Sequence, residues 1–186
     1  MIEQRFINKQ INTISMVKQK EAAFLLIKTN LNASRVLNSI KQNKLVVWAN
    51  QVYGPYQIVA YAESENEKEL TELIEDIRSR RFITELDARR VKVIPQDDKL
   101  KPFKINKSVS AVLLVNVNYK EEKERVVTWN LRKISGVKIA RAMWGPTDIV
   151  VIVEASDHES MRNLICDDIK VLKGVTNNTT LYCYPN

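Results

Sequence analysis

A chain that carries the same hairpin twice has few folds open to it. Residues 46–59 and 137–150 align without a gap at an offset of 91, which carries Gly54 onto Gly145. Val46, Ala49, Pro55, Ile58 and Val59 fall on identical residues at the same offset. Each copy reads as a strand, an aromatic-Gly-Pro turn (Tyr53-Gly54-Pro55, Trp144-Gly145-Pro146) and a second strand. Glycine frees the backbone for the turn, and proline fixes φ and removes a donor where strand pairing is interrupted.

The flanking segments repeat as well. Before each hairpin stands a run of five apolar residues, Ala23 to Ile27 and Ala111 to Val115, read as buried strands. Between run and hairpin lies a helical stripe: Ala33, Val36, Leu37 and Ile40 in the first copy, Val127, Leu131 and Ile134 in the second. After the hairpin a second stripe follows, Leu70, Leu73, Ile74 and Ile77, or Met161, Leu164, Ile165, Ile169 and Leu172. Asn32 or Ser34, a capping box of Ser64 with Glu67, and Ser156 or Asp157 supply helix starts. Last strands are expected over about residues 88–94 and 180–184.

The predicted order is β-α-β-β-α-β, twice. The expected fold class is α+β: two tandem ferredoxin-like repeats packed sheet to sheet as a fused, α/β-barrel-like pseudo-dimer. The expected boundaries are an arm or short helix over 1–21, a first repeat over 22–95, a linker over 96–108 and a second repeat over 109–186. Trp48, Val52 and Tyr61, with Met143, Val151 and Val153, place apolar groups on strand faces that the helices should not cover. A sheet apolar on both faces buries both, and the other repeat is the simplest cover.

The net charge of +7 sits unevenly. Arg5, Lys9, Lys18 and Lys20 face only Glu3 over residues 1–20, and Lys101, Lys104 and Lys107 face no acid over residues 100–107. Such segments give salt-sensitive attraction to phosphates. No apolar run approaches the length of a membrane span, and no secretory signal pattern opens the chain, so a cytoplasmic location is expected. Cys166 and Cys183 lack metal spacing and read as buried free thiols. His158 is the only histidine and falls in a helix's first turn, and no catalytic triad, metalloprotease or P-loop pattern is present. No catalytic residue, metal or cofactor is therefore expected.

The second copy carries a family pattern. Val137, Ala140, Trp144-Gly145-Pro146-Thr147-Asp148, the apolar strand from Ile149 to Val153, Met161, Leu164, Ile165 and Gly174-Val175-Thr176 resemble the ligand-binding (RAM) domain of Lrp/AsnC-type transcription regulators. The first copy lacks the Asp and the Gly-Val-Thr, and its likeness rests on the duplication. The resemblance implies paired sheets, further assembly of dimers or pairing with a partner regulator, and a small effector, often an amino acid, near the hairpin loops. About twenty residues stand where that family has a helix-turn-helix, so sequence-specific DNA reading by this chain alone is not expected.

The candidate ligand residues lie on the two hairpins: Gly54, Tyr56 and Gln57, and Gly145, Thr147 and Asp148. Asp148 can hold an ammonium as a charge-assisted pair, or satisfy turn amides. The function expected from these readings is a non-catalytic regulatory module. The alternatives are an α/β-barrel enzyme of the monooxygenase or haem-degrading kind, and weak nucleic-acid association through the basic arm and linker. A membrane partner is not expected.

Overall fold

The computed structural model describes residues 20–92 and 109–185, so most of the arm (1–21) and all of the linker (96–108) lie outside the described residues. Strand β1 (Glu21–Thr29) precedes helix α1 (Ala33–Lys41), β2 (Val46–Tyr53), β3 (Ile58–Ser64), α2 (Glu67–Ser79) and β4 (Ile83–Arg90). The order recurs in β5 (Val109–Val117), α3 (Glu124–Leu131), β6 (Val137–Ala142), β7 (Ile149–Ala155), α4 (His158–Asn163), which continues as a π-helical turn (Leu164–Ile169), and β8 (Val175–Cys183). Among the described residues no helix is long and apolar enough to cross a membrane.

The helix starts follow side-chain chemistry. Asn32 accepts from the N–H groups of Ser34 and Arg35, and Asp157 from that of Ser160. The capping box proposed for Ser64 and Glu67 is not what forms. Asn66 is the cap and accepts from Glu69 N–H, while the Ser64 hydroxyl donates to the Glu69 carboxylate. That bond holds the Glu69 carboxyl below its ordinary pKa.

All strand pairs are antiparallel, in the order β4-β1-β3-β2-β8-β5-β7-β6. Two seams join the halves. At one, Val52 pairs with Cys183 and Tyr53 with Tyr182. At the other, Val91 pairs with Met143, flanked by Lys92 N–H to Ala142 O (2.8 Å) and Trp144 N–H to Arg90 O (2.9 Å). The second seam brings together the two ends of the strand order, so the eight strands form a ring.

Three apolar layers result. One lies under α1 and α2 (Leu25, Ile40, Leu70, Ile77) and one under α3 and α4 (Leu113, Leu131, Val151, Met161). The third fills the ring with Phe24, Leu26, Tyr61, Val112, Ile152 and Leu181, drawn from both halves. Burial of each such side chain stabilises by roughly 1.5–3 kcal/mol. Val151 and Val153 were expected inside the ring; they lie under the helices, and Val150 and Ile152 face inward instead.

Bulges explain the other departures from the expected strands. Thr29 pairs with Ile83 but Lys28 with Glu85, leaving Thr84 extra, and Val117 pairs with Val175 but Asn116 with Asn177, leaving Thr176 extra. An extra residue breaks the period of two. β4 and β8 therefore begin about five residues before the alternating stretches at 88–94 and 180–184. The helix after β7 is also shorter than its stripe, since the π-helical turn ends at Ile169 before Leu172.

The two turn glycines test how tightly the seams hold. Both have positive φ (142° at Gly54, 136° at Gly145). A Cβ on Gly54 would lie 2.7 Å from a Leu181 methyl, whereas on Gly145 the nearest atom is 3.9 Å away. Gly54→Ala is expected to destabilise by about 2 kcal/mol more than Gly145→Ala in urea denaturation, because only the former adds a clash to backbone strain.

Candidate functional site

The hairpin residues are fastened by backbone needs. The Asp148 carboxylate accepts from Val117 N–H (2.8 Å) and Tyr119 hydroxyl (2.6 Å). The Gln57 side-chain oxygen accepts from Thr29 N–H at 3.1 Å. Thr29 and Val117 are the bulged ends of β1 and β5, so Gln57 and Asp148 do the same work in the two halves. Thr147 is buried, and Tyr56 donates to Asp87 at 3.3 Å. Gly54 lies against Leu181 and Gly145 against Arg89. Trp144 is 66% exposed, with the Lys92 ammonium 4.8 Å from its ring centre. His158 is exposed in the first turn of α4, and both cysteines are free, Cys183 buried and Cys166 partly so. Burial pushes the Cys183 thiol up to about 11.

The structure also gathers polar residues inside the ring that the hairpin pattern did not single out. Ile139, Arg141 and Met143 alternate inward along β6, and Asp87, Arg89 and Val91 do so across the seam. Arg141 is 2% exposed, and its Nη1 donates to Ala140 O over a long 3.4 Å. Among the described residues its buried Nη2 has no hydrogen-bond partner. Arg132, at the end of α3, donates through Nε (2.9 Å) and Nη2 (2.8 Å) to the same Ala140 carbonyl. Burial, then the charge of Arg141, lowers the Arg132 pKa to about 10. Burial lowers that of Arg141 too, opposed by Tyr61 and Glu63. Tyr61 is 1% exposed and donates to Glu63 Oε1 at 2.9 Å. Burial, then the Glu63 charge, raises the Tyr61 pKa far above its ordinary value, so the phenol keeps its proton.

This corner holds two guanidiniums close enough to repel, one unfilled N–H edge, and a phenol set on a carboxylate. A buried cation without full pairing costs several kcal/mol. Such groups concentrate where an anion or a proton is handled. The alternation that placed Val52 and Tyr61 inward also places Asn50, and the offset of 91 carries Asn50 onto Arg141. That signal was available in the sequence.

No family model matches the chain, and no curated protein matches it. Solved structures do. The siroheme decarboxylase NirDL is 11% identical, with 96% of this chain and 79% of that one covered, at a TM-score of 0.62. A putative chlorite dismutase is 10% identical over 91% of this chain and 95% of its own, at 0.59. AsnC of E. coli is 14% identical over 66% of this chain and 74% of its own, at 0.39. At these identities the likeness is one of fold, and the regulator's is too slight to carry an argument.

These likenesses correct the expectation of a non-catalytic regulatory module. The structures that fit nine-tenths of the chain are named as a decarboxylase and a putative dismutase, both enzyme names.

Asp148→Ala is expected to destabilise by about 1–3 kcal/mol in urea denaturation, because Val117 N–H loses its acceptor at the bulge. Gln57→Ala should cost a similar amount at the matching place in the first half.

Proposed function

We propose that this chain is an α/β-barrel enzyme that acts on an organic carboxylate held at the Arg141–Arg132 corner. The observation that carries the reading is the buried Nη2 of Arg141, without a partner among the described residues and next to a second guanidinium. A substrate carboxylate satisfies that N–H and neutralises the like charges as a charge-assisted pair. Tyr61, seated by Glu63, is the proton-handling group. The reaction class that uses this set is decarboxylation. The bond to the carboxyl carbon breaks, carbon dioxide leaves, and the electron pair stays on the substrate carbon. The Tyr61 hydroxyl protonates that carbon, Arg141 stabilises the phenolate, and solvent restores the proton along Glu63, whose side chain is 19% exposed. The fold's likeness to a siroheme decarboxylase supports this class.

The fold's likeness to a chlorite dismutase raises a resident haem. The residues here do not fit one. The sole histidine lies exposed on α4, the ring interior is filled by Phe24, Tyr61, Leu26 and Ile152, and no metal-holding group of His, Cys, Asp and Glu occurs among the described residues.

The two β-α-β-β-α-β halves, 22–95 and 109–186, are read as tandem copies of one ancestral unit. Support comes from the matching bulges at Thr84 and Thr176, and from the matched duties of Gln57 and Asp148.

Titration calorimetry with acetoacetate, a small carboxylate that can lose carbon dioxide, tests the reading. Arg141→Met is expected to weaken binding at least tenfold while leaving thermal stability unchanged or higher, since it removes a buried charge. Tyr61→Phe should keep binding and lower carbon dioxide release from the bound acid by at least 100-fold. Unaltered binding in Arg141→Met, together with lower stability, would show a purely structural arginine and overturn the assignment.

A further inference from the structure

A second buried guanidinium edge lies along the same seam. Arg89 is 5% exposed on the inward face of β4. Its Nε and Nη2 both donate to Asp87 Oδ2, at 2.9 and 2.7 Å, and Tyr56 donates to the same oxygen at 3.3 Å. This arrangement fixes one edge of the guanidinium and leaves Nη1 buried with no partner among the described residues. An unmet buried donor costs about 1–3 kcal/mol, more on a charged group.

The fold itself does not ask for a cation there. In the other half the residue at the same place relative to the seam is Leu181, two before Cys183, as Arg89 is two before Val91. Leu181 is fully buried in the same ring interior. The place of Arg141, two before Met143, is taken in the other half by Asn50, two before Val52. Asn50 is buried and donates to Tyr184 O at 3.3 Å. One seam therefore closes with neutral residues, and the other carries two arginines that each keep an unfilled edge. The pairing of Val91 with Met143 sets Arg89 and Arg141 four residues apart along the seam, about 13 Å at the rise of an extended strand.

We propose that Arg89 is a second carboxylate-binding residue, so that the substrate class is a dicarboxylate or polycarboxylate spanning the β4–β6 seam, with one carboxylate on Arg141 and another on Arg89. The assignment rests on the reading of Arg141 given above and adds the substrate's second anchor. Asp87 and Tyr56 act as positioning residues that hold the guanidinium with Nη1 turned away from the pair.

The experiment is titration calorimetry with linear α,ω-dicarboxylates from succinate to sebacate, against the monocarboxylates and ω-hydroxy acids of equal length. The wild-type chain is expected to bind one dicarboxylate length at least tenfold more tightly than its monocarboxylate and hydroxy counterparts. Arg89→Leu copies the residue that the other seam tolerates, and should reduce the dicarboxylate to the monocarboxylate affinity with little change in Tm. If that variant is too unstable to assay, Arg89→Lys serves, with a loss of length preference as the readout. Equal affinity for hydroxy acids and dicarboxylates, or an unchanged preference in either variant, would overturn the second anchor while leaving Arg141 in place. Binding of neither series to the wild type would instead sink the reading of Arg141 itself.

Discussion

The pairing of strands across the two seams is the constraint on which everything else rests. Each half alone is a four-stranded sheet with helices on one face, and its other face carries Phe24, Leu26 and Tyr61, or Val112, Val150 and Ile152. Exposed, such a face would be a large apolar patch with open edges, prone to association. Two short seams, Val52 with Cys183 and Val91 with Met143, convert both liabilities into one interior. The energy gained comes from the apolar area hidden inside the ring. The few seam hydrogen bonds mainly fix the register in which that area is hidden.

Closure also explains why polar chemistry collects on one side. A ring interior withdraws whatever faces it from water, so Arg141, Arg89 and Tyr61 are held in a medium of low polarizability. Hydrogen bonds and charge pairs are stronger there, and unmet ones are dearer. At the β2–β8 seam the matching places hold Asn50 and Leu181, and the exposed rim carries Tyr53 stacked on Tyr184 at 3.9 Å. At the β4–β6 seam the rim carries Trp144 beneath Lys92, and Lys92 pairs with Glu124. One scaffold closes twice, once with neutral groups and once with charged ones. The proposed carboxylate site lies at the charged seam.

The architecture was largely legible because it depends on periodicities that the sequence repeats. The doubled hairpin, the apolar runs and the four stripes appear as the expected strands and helices. Single extra residues were less legible. Thr84 and Thr176 shift the alternation though neither is itself a Gly or Pro, so β4 and β8 looked shorter than they are. The parity of the second hairpin was read one residue out between Val150 and Val153. The site was hardest to read. Hairpin residues drew attention through motif resemblance, and the structure gives Gln57 and Asp148 the task of completing bulged backbone. Arg89 and Arg141 look like ordinary surface cations in a basic chain. Only an inward parity, carried across the repeat, marks them as buried.

The most direct test of the closed ring uses a thiol the chain already has. Cys183 pairs with Val52 from the other half, so Val52→Cys places two sulfurs at one seam. Mild oxidation followed by peptide mass mapping should then give an intramolecular disulfide linking the peptides around positions 52 and 183, at every protein concentration tried. Free thiols at both positions, or a link that forms only between chains, would contradict a ring closed within one chain.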